Sequence, residues 1–288
     1  MSKMATTQTE KLNVPSQVFD EMAKKYENGL GGAQNDIVRE LLSHCKEAYP
    51  IVSASIIHDN ACGPAVVTGE ILNQGIVPSP QIFATDYAQG MIDITNSYKE
   101  RKGWNTVTVQ QMDGQALSFE DEKFTHSISS LGVFMFPDER KGLSEMYRTL
   151  KPGGWVGVTS WKDVRWPTAA TSAYERLFPE AKEPMILPLA KNWMETDSCE
   201  QTLRNAGFRD VRAEVFPCIN RQPSKEVGAS IVAGFLRNVS PTAKAWDDKT
   251  WERYADCFCK LIEEMYSPLE DGSGVELKLY AIVTSGRK

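Results

Sequence analysis

Apolar runs and amphipathic stretches alternate along the chain. Short runs rich in β-branched and aromatic residues predict strands at 51–58, 81–85, 106–110, 124–130 and 155–161. Stretches with apolar residues at helical spacing lie between them, at 65–73, 91–102 and 139–150. Strands that alternate with helices favour an α/β fold, in which helices cover a parallel sheet. We expect residues 51–161 to form this core.

Two amphipathic helices are predicted ahead of the first strand. The first begins near Pro15 and ends at the glycine-rich stretch 29–32, and the second carries apolar residues from Ile37 to Cys45. Because both helices precede the sheet in the chain, we expect residues 1–50 to form a helical segment that covers the ligand-binding edge.

The alternation is interrupted twice later in the chain. Residues 162–194 combine prolines with aromatic residues, and residues 217–274 are mostly helical in pattern. The core is predicted to continue at 195–216 with a helix and a sixth strand, and to end with a seventh strand within 275–288. The sequence therefore predicts one core carrying two helical cap insertions.

The turn after the first predicted strand carries the candidate chemistry. Asp59 ends the strand, and the small residues Ala61, Gly63 and Ala65 follow at alternate positions. Acids at the carboxyl ends of strands lie where open α/β sheets bind ligands, and small residues let a ligand touch the backbone. The spacing lacks the G-x-G-x-x-G pattern of a dinucleotide pyrophosphate site. It therefore predicts a nucleotide-like cofactor without a pyrophosphate.

Two further acids follow at regular spacing. Asp59, Asp86 and Asp113 are separated by 27 residues in each case (86 − 59 and 113 − 86). This spacing suits successive βα units, which would deliver all three acids to one edge of the sheet. An acid at the end of a strand can instead cap the next helix, and this alternative stays open for Asp59 and Asp86.

Composition restricts the class of partner. Hydrophobic residues make up 41% of the chain and charged residues 24%, which is ordinary for a globular protein with its own core. The net charge of −6 argues against nucleic acid and membrane surfaces, so a small-molecule substrate is expected. The six cysteines form no C-x-x-C pair and there are only three histidines, so no metal is expected.

The N-terminal residues and the hydropathy pattern indicate a cytoplasmic protein. Residues 1–11 are polar and lack the apolar stretch of a secretory signal. The sequence also contains no apolar run of about 18 residues, the length that suggests a transmembrane helix. We expect a monomer or a homodimer.

Taken together, the motifs resemble class I S-adenosylmethionine-dependent methyltransferases, in the ubiquinone-methyltransferase-like group of small-molecule enzymes. The motifs that carry the resemblance are residues 59–63, the strand ending at Asp86 followed by Met91, residues 112–114 and residues 150–154. The resemblance implies a seven-stranded, doubly wound Rossmann-like sheet with an antiparallel last strand. It also implies S-adenosyl-L-methionine as cofactor and S-adenosyl-L-homocysteine as product. The chain departs from the family at Ala65, where glycine is more usual, and at Pro64.

The resemblance also implies roles for the matching residues. Asp59 would help to fix the amino group of the methionine part, and Asp86 would accept hydrogen bonds from the two ribose hydroxyls. The other implied contacts are with the turn (Ala61, Gly63), the adenine (Tyr87, Met91, Asp113, Gly114) and the methionine end (Ser129, Ser130), with Tyr26 closing over the site. For Tyr26, a place in the core on the apolar face of an amphipathic helix is favoured over a role as a lid.

Candidate catalytic groups are few. His58 is expected to be a buried, hydrogen-bonded histidine, because it points to the opposite face from Asp59 in a strand. His126 is ambiguous, and Cys62 is expected to be a small turn residue, so no general base is assigned. Three tryptophans from the predicted strand end and the first insertion, Trp161, Trp166 and Trp193, are candidates for an apolar acceptor pocket that also faces the sulfonium, although ordinary packing explains each of them equally well.

The expected function is therefore methyl transfer by direct displacement onto a small, largely apolar metabolite. A thiol or hydroxyl acceptor is favoured, in the manner of secondary metabolism. One alternative is a nicotinamide-dependent oxidoreductase, which shares the strand, turn and helix with a ribose-binding acid. Another is a protein of the same fold that binds the cofactor without transferring its methyl group.

Overall fold

The computed structural model describes residues 18–20, 30–187 and 189–288. The strands are β1 (Ile56–Asn60), β2 (Gln81–Asp86), β3 (Val107–Gln111), β4 (Phe124–Ser130), β5 (Leu150–Asp163), β6 (Arg209–Gln222), β7 (Ser267–Pro268) and β8 (Val275–Arg287). The helices are α1 (Ala33–Ala48), α2 (Val66–Leu72), α3 (Gln89–Lys102), α4 (Glu139–Thr149), α5 (Trp166–Leu177), α6 (Thr196–Asn205), α7 (Lys225–Val239), α8 (Pro241–Lys244) and α9 (Asp248–Glu263).

All the strands join one sheet, in the order β3-β2-β1-β4-β5-β8-β6, with the two-residue β7 paired to β8. The strands from β3 to β5 are parallel, whereas β8 runs antiparallel to both β5 and β6. The expected doubly wound sheet with an antiparallel last long strand is therefore confirmed. The carboxyl ends of β1, β2 and β3 meet at one edge, because the three strands are parallel neighbours.

Hydrophobic clusters lie on both faces of the sheet. On one face, α1 and α2 bury residues such as Ile37, Leu41 and Ile71 against strand residues that include Ile57. The other face is covered by a second cluster with members from α4 and α6, such as Leu143 and Leu203, and from β5. Burial on both faces explains why the strands of the sequence appear as nearly continuous apolar runs.

The prediction for the first strand was wrong at its start. Residues 51–55 form a turn instead, in which the Ser55 hydroxyl accepts a hydrogen bond from the Val52 N–H (3.0 Å) and the Ser55 N–H donates to the Val52 carbonyl (2.9 Å). Serine side chains compete with the sheet for backbone groups in this way. The strand begins only at Ile56 and runs on through Asp59 to Asn60.

The two predicted insertions pack against each other. Helix α5 from the first contacts α9 from the second, and Trp166, Ala170, Ala233 and Phe258 share one buried cluster. The hydroxyl of the buried Tyr254 donates to the Ala170 carbonyl at 3.0 Å.

Strand β6, at Arg209–Gln222, is longer than the predicted 211–216. No helix within the described ranges is long and apolar enough to cross a membrane.

Candidate functional site

The turn between β1 and α2 has an unusual backbone. Ala61, Gly63 and Ala65 all have positive φ, at 56°, 51° and 59°. The left-handed region costs a residue with a side chain about 1–2 kcal/mol, and glycine much less. Ala65 is therefore strained, and it is the N-cap residue that precedes α2. Contacts from neighbouring elements must hold this turn in place.

Asp59 lies below the turn and is completely buried. Its Oδ2 accepts hydrogen bonds from the Thr68 N–H (3.1 Å) and the Thr68 hydroxyl (2.7 Å) on α2, whereas its Oδ1 has no partner among the described residues. Burial raises the pKa of Asp59 to about 7, although the bonds from Thr68 oppose the shift. Oδ1 of Asp59 is thus a buried acceptor beside the turn without a partner among the described residues.

Asp86 ends β2 and connects the turn to α3. Its Oδ2 accepts from the Gly63 N–H and its Oδ1 from the Ala88 N–H, each at 2.9 Å. Ala88 is the N-cap residue of α3, so Asp86 closes the turn before the helix and does not bond to an N–H of the helix itself. Burial raises the pKa of this carboxyl, while the backbone hydrogen bonds oppose the rise. Each oxygen still has a second lone-pair site to offer a ligand.

The loop after β3 closes against the end of β1. Oδ1 of Asp113 accepts from the backbone N–H (2.9 Å) and the side-chain amide (3.1 Å) of Gln115, so this acid stabilises its own turn. An added Cβ on Gly114 would lie 2.6 Å from Cζ of Phe136 and 2.7 Å from Oδ1 of Asn60. Gly114 is therefore required by close packing at the sheet edge.

Asn60 was not predicted from the sequence as a site residue, yet it lies at the centre of this edge. Its Nδ2 is buried without a hydrogen-bond partner in the described part of the chain, as is Oγ of Ser129 at the end of β4. Ser130 instead shares a hydrogen bond with the Thr159 hydroxyl (3.1 Å). The only sequence signal for Asn60 was a polar amide directly after Asp59 at the end of a buried strand.

The predicted adenine neighbours differ in exposure. Tyr87 is 54% exposed, whereas Met91 is buried in a small cluster with Ala88 and Phe19. Residues 18–20 therefore lie against the first turn of α3, where the Asp20 carboxylate accepts from the Gly90 N–H at 2.7 Å. The predicted lid residue Tyr26 lies outside the described residues.

The three tryptophans do not share one cluster. Trp161 packs on the α1 and α2 side of the sheet, Trp193 is completely buried in the cluster on the opposite side, and Trp166 belongs to the helical cap, where its ring meets Phe235 edge-on. Such separation favours the packing explanation, above all for Trp193, and gives no support to an acceptor pocket that all three would line.

The histidines near the sheet are buried and neutral. His58 stacks on Phe124, with ring centroids 4.9 Å apart, and its Nε2 contacts the Thr85 hydroxyl at 2.9 Å. Burial lowers the pKa of His58 to about 3 and that of His126 to about 4. The buried histidine expected at position 58 is thus observed. Burial also raises the pKa of the Cys62 thiol well above its usual value, so this thiol stays protonated.

A separate group of possible metal ligands joins α1 to β6. The ligand atoms of Glu40, His44 and Glu214 lie within 4.8 Å of one another. Nε2 of His44 already contacts the Glu214 carboxylate at 2.5 Å, so a hydrogen-bonded pair accounts for this arrangement.

A cavity of about 280 Å³ opens beside the turn, between α1, α2 and the end of α3. Its lining comes from the start of α1, the outer face of α2 and the end of α3, and includes Asn35, Ala65, Glu70, Lys102 and Trp104. Glu70 is paired there with Arg39 and Asn35. The acids at the carboxyl edge of the sheet are not part of this lining.

Comparison with known proteins agrees with the geometry. A family model described as a methyltransferase domain matches residues 57–154. The chain is 26% identical over 244 residues to methyltransferase tpcH of Aspergillus fumigatus, a match that covers 81% of this chain and 84% of that protein. It is 24% identical over 228 residues to the demethylmenaquinone methyltransferase of Staphylococcus carnosus, covering 74% and 92% respectively.

The fold also resembles that of a solved structure, phosphoethanolamine N-methyltransferase 2 of Haemonchus contortus in complex with phosphomonomethylethanolamine and S-adenosylhomocysteine. The TM-score is 0.55 at 14% identity, over 96% of this chain and 60% of that one. The matched segment 57–154 runs from β1 into β5 and contains the turn and all three acids. Residues 57–154 therefore match a methyltransferase domain, and the chain is similar to methyltransferases in sequence and to S-adenosylmethionine-dependent methyltransferases in fold.

Proposed function

We propose that this protein transfers a methyl group from S-adenosylmethionine to a small, largely apolar metabolite with a thiol or hydroxyl acceptor. The observation that carries the proposal is the set of unpartnered buried atoms around the β1 turn: Oδ1 of Asp59, Nδ2 of Asn60 and Oγ of Ser129. Buried polar atoms normally have partners. A ligand with a cationic amine and an anionic carboxylate would supply them.

The chemistry of these three atoms fits the amino acid end of the cofactor. A carboxylate oxygen such as Oδ1 of Asp59 accepts from an ammonium group, whereas the amide of Asn60 and the hydroxyl of Ser129 donate to a carboxylate. Such charge-assisted hydrogen bonds are worth about 1.5–3 kcal/mol each. The strained turn at Ala61 and Gly63 would then lie against the middle of the cofactor with its backbone exposed to the ligand.

Asp86 is proposed to accept from the ribose hydroxyls with its remaining lone pairs. The hydrogen bonds that Asp86 accepts from the Gly63 and Ala88 N–H groups hold the carboxylate in a fixed orientation, which suits two parallel hydrogen bonds from a diol. The adenine would then lie between Tyr87 and Met91 on one side and the loop at Asp113 and Gly114 on the other. Its exocyclic amine would donate to Asp113.

The protonation of the buried histidines favours some acceptor groups over others. A group that is protonated only near pH 3 or 4, as His58 and His126 are, is a poor general base at neutral pH. Methyl transfer needs alignment of donor and acceptor and exclusion of water more than it needs a base. This supports acceptors that lose their proton readily, such as thiols and acidic hydroxyls. When bound, the cofactor would supply the electrophilic methyl group, and the residues of the turn and the sheet edge would hold and orient the cofactor.

Calorimetry tests the cofactor part of the proposal. Wild-type protein should bind S-adenosylhomocysteine, and Asp59→Asn should weaken that binding at least tenfold, which corresponds to about 1.4 kcal/mol. The matched control is Asp138→Asn, which changes an acid that caps α4 away from the turn. Tight binding of NAD with no response to S-adenosylhomocysteine would support the oxidoreductase alternative and contradict the proposal.

Turnover is tested separately with methyl-labelled cofactor and a panel of thiols, phenols and amines. Transfer to thiols or phenols is the expected result. Transfer confined to amines would contradict the proposed acceptor class, and cofactor binding without transfer to any acceptor would favour the non-transferring alternative.

A further inference from the structure

We propose that Thr95 of α3 is a positioning residue for the cofactor, because it holds the carbonyl of Gly63 in the strained turn. This inference rests on the proposed function. The Thr95 hydroxyl donates to the Gly63 carbonyl at 2.7 Å, and its side chain is completely buried. The N–H of the same glycine is bound by Asp86, so both backbone polar groups of Gly63 are held by the β2 and α3 unit.

The direction of this hydrogen bond is unusual for a threonine within a helix. Such hydroxyls commonly bond back to a carbonyl of the preceding turn of their own helix. Thr149 of α4 does this, donating to the Glu145 carbonyl at 2.8 Å, and so does Thr202 of α6 with Ser198 at 2.7 Å. Thr95 instead reaches out of α3 to a turn 32 residues earlier in the chain.

Among the described residues, the other donor near the Gly63 carbonyl is the Cys62 thiol, at 3.6 Å, and thiols are weak donors. Cys62 and Thr95 are buried, with 3.9 Å between the thiol and the hydroxyl, whereas Gly63 itself is half-buried. Loss of the Thr95 hydroxyl would leave this carbonyl without a strong protein donor, in a turn that holds two alanines at positive φ.

Thr95 also holds the turn independently of Asp86. In the proposed function Asp86 receives the ribose hydroxyls while it still accepts from the Gly63 N–H. Any movement of the carboxylate toward the ribose would loosen that second bond. The hydroxyl of Thr95 then remains as the fixed contact of Gly63, so the turn keeps the shape that the methionine part requires. Strained backbone persists only where several contacts determine it together.

The test uses variants that differ in the hydroxyl group. Thr95→Val keeps the side-chain shape but removes the hydroxyl, and it should raise the Kd for S-adenosylhomocysteine about tenfold by calorimetry. The matched control is Thr149→Val, which makes the same change at another completely buried helical threonine. It should lower the melting temperature but leave the Kd unchanged.

A second pair of variants keeps the test decisive if Thr95→Val does not fold. Thr95→Ser and Thr95→Ala both lack the methyl group and differ only in the hydroxyl. The serine variant should bind S-adenosylhomocysteine within about twofold of wild type, and the alanine variant about tenfold more weakly. Equal affinities for serine and alanine would overturn the inference alone. Failure of the wild-type protein to bind S-adenosylhomocysteine would overturn the proposed function as well.

Discussion

Replacement of Asp59 by asparagine should change how the stability of the ligand-free protein depends on pH. Asp59 is completely buried, and burial raises its pKa from 3.8 to about 7. A carboxyl whose pKa is higher in the folded state stabilises the fold while it is neutral. That stabilisation is complete below pH 3.8 and is lost as the pH rises toward 7. Asparagine keeps an acceptor oxygen for Thr68 but does not ionise.

The size of the effect follows from the two pKa values. Each pH unit within the window between them changes the free energy of unfolding by about 1.4 kcal/mol. Between pH 5.5 and 8.5 only the rise to about pH 7 contributes, so Asp59 should remove about 2 kcal/mol from the stability of the wild-type protein. The asparagine variant should lack this loss, so its stability relative to wild type should improve by about 2 kcal/mol over that range.

Urea unfolding of both proteins at pH 5.5 and 8.5 measures this difference, because the other titrating groups cancel between variant and wild type. The half-buried cap variant Asp138→Asn serves as control and should show no comparable change. Saturating S-adenosylhomocysteine should reduce the pH dependence of the wild type, since its ammonium group would pair with the ionised Asp59. A stability difference between Asp59→Asn and wild type that is the same at both pH values would show that the pKa of Asp59 is not raised in the folded protein.

Three further changes test other parts of the account. Asp86→Ala should weaken S-adenosylhomocysteine binding by about 2–3 kcal/mol in calorimetry and also lower the melting temperature; a lower melting temperature with unchanged affinity would leave Asp86 with a structural role alone, through its bonds to the Gly63 and Ala88 N–H groups. Gly114→Ala should destabilise the fold by about 1–3 kcal/mol in urea, because its Cβ would overlap the Phe136 ring, and a neutral result would contradict the packing argument. His58→Phe should remove acid sensitivity: the pKa of His58 is lowered from 6.5 to about 3, so its stabilisation is lost as the pH falls below 6.5. Wild type should therefore lose about 2 kcal/mol more than the variant between pH 6.5 and 4.5, and equal losses would show that His58 is not buried neutral.

The order of elements could be predicted from the sequence because each parallel strand is buried on both faces and each helix is apolar on one. The boundaries were predicted well where a strong signal was present, as at Asp86 at the end of β2. The first strand was wrong at 51–55 because Ser55 closes a turn with Val52, and this local hydrogen bond outweighs the apolar character of the segment.

The position of the three acids at one edge of the sheet was also predictable, because their spacing follows from the βα repeat. Asn60, Thr68 and Thr95 were not recognised, since a polar residue within a strand or helix gives no sign of which distant backbone or side-chain group it meets. The tryptophans illustrate the opposite difficulty: Trp161, Trp166 and Trp193 are close in sequence but lie in three clusters. Their separation depends on how the helical cap packs on the sheet, which the sequence does not reveal.

A crystal structure of the protein with S-adenosylhomocysteine is the most direct test of the central claim that the cofactor binds at the carboxyl edge of β1, β2 and β4. We expect the ammonium group to lie beside Asp59, the carboxylate beside Asn60 and Ser129, and the ribose hydroxyls against Asp86. The ligand bound elsewhere, for example in the cavity lined by Glu70 and Trp104, would contradict it.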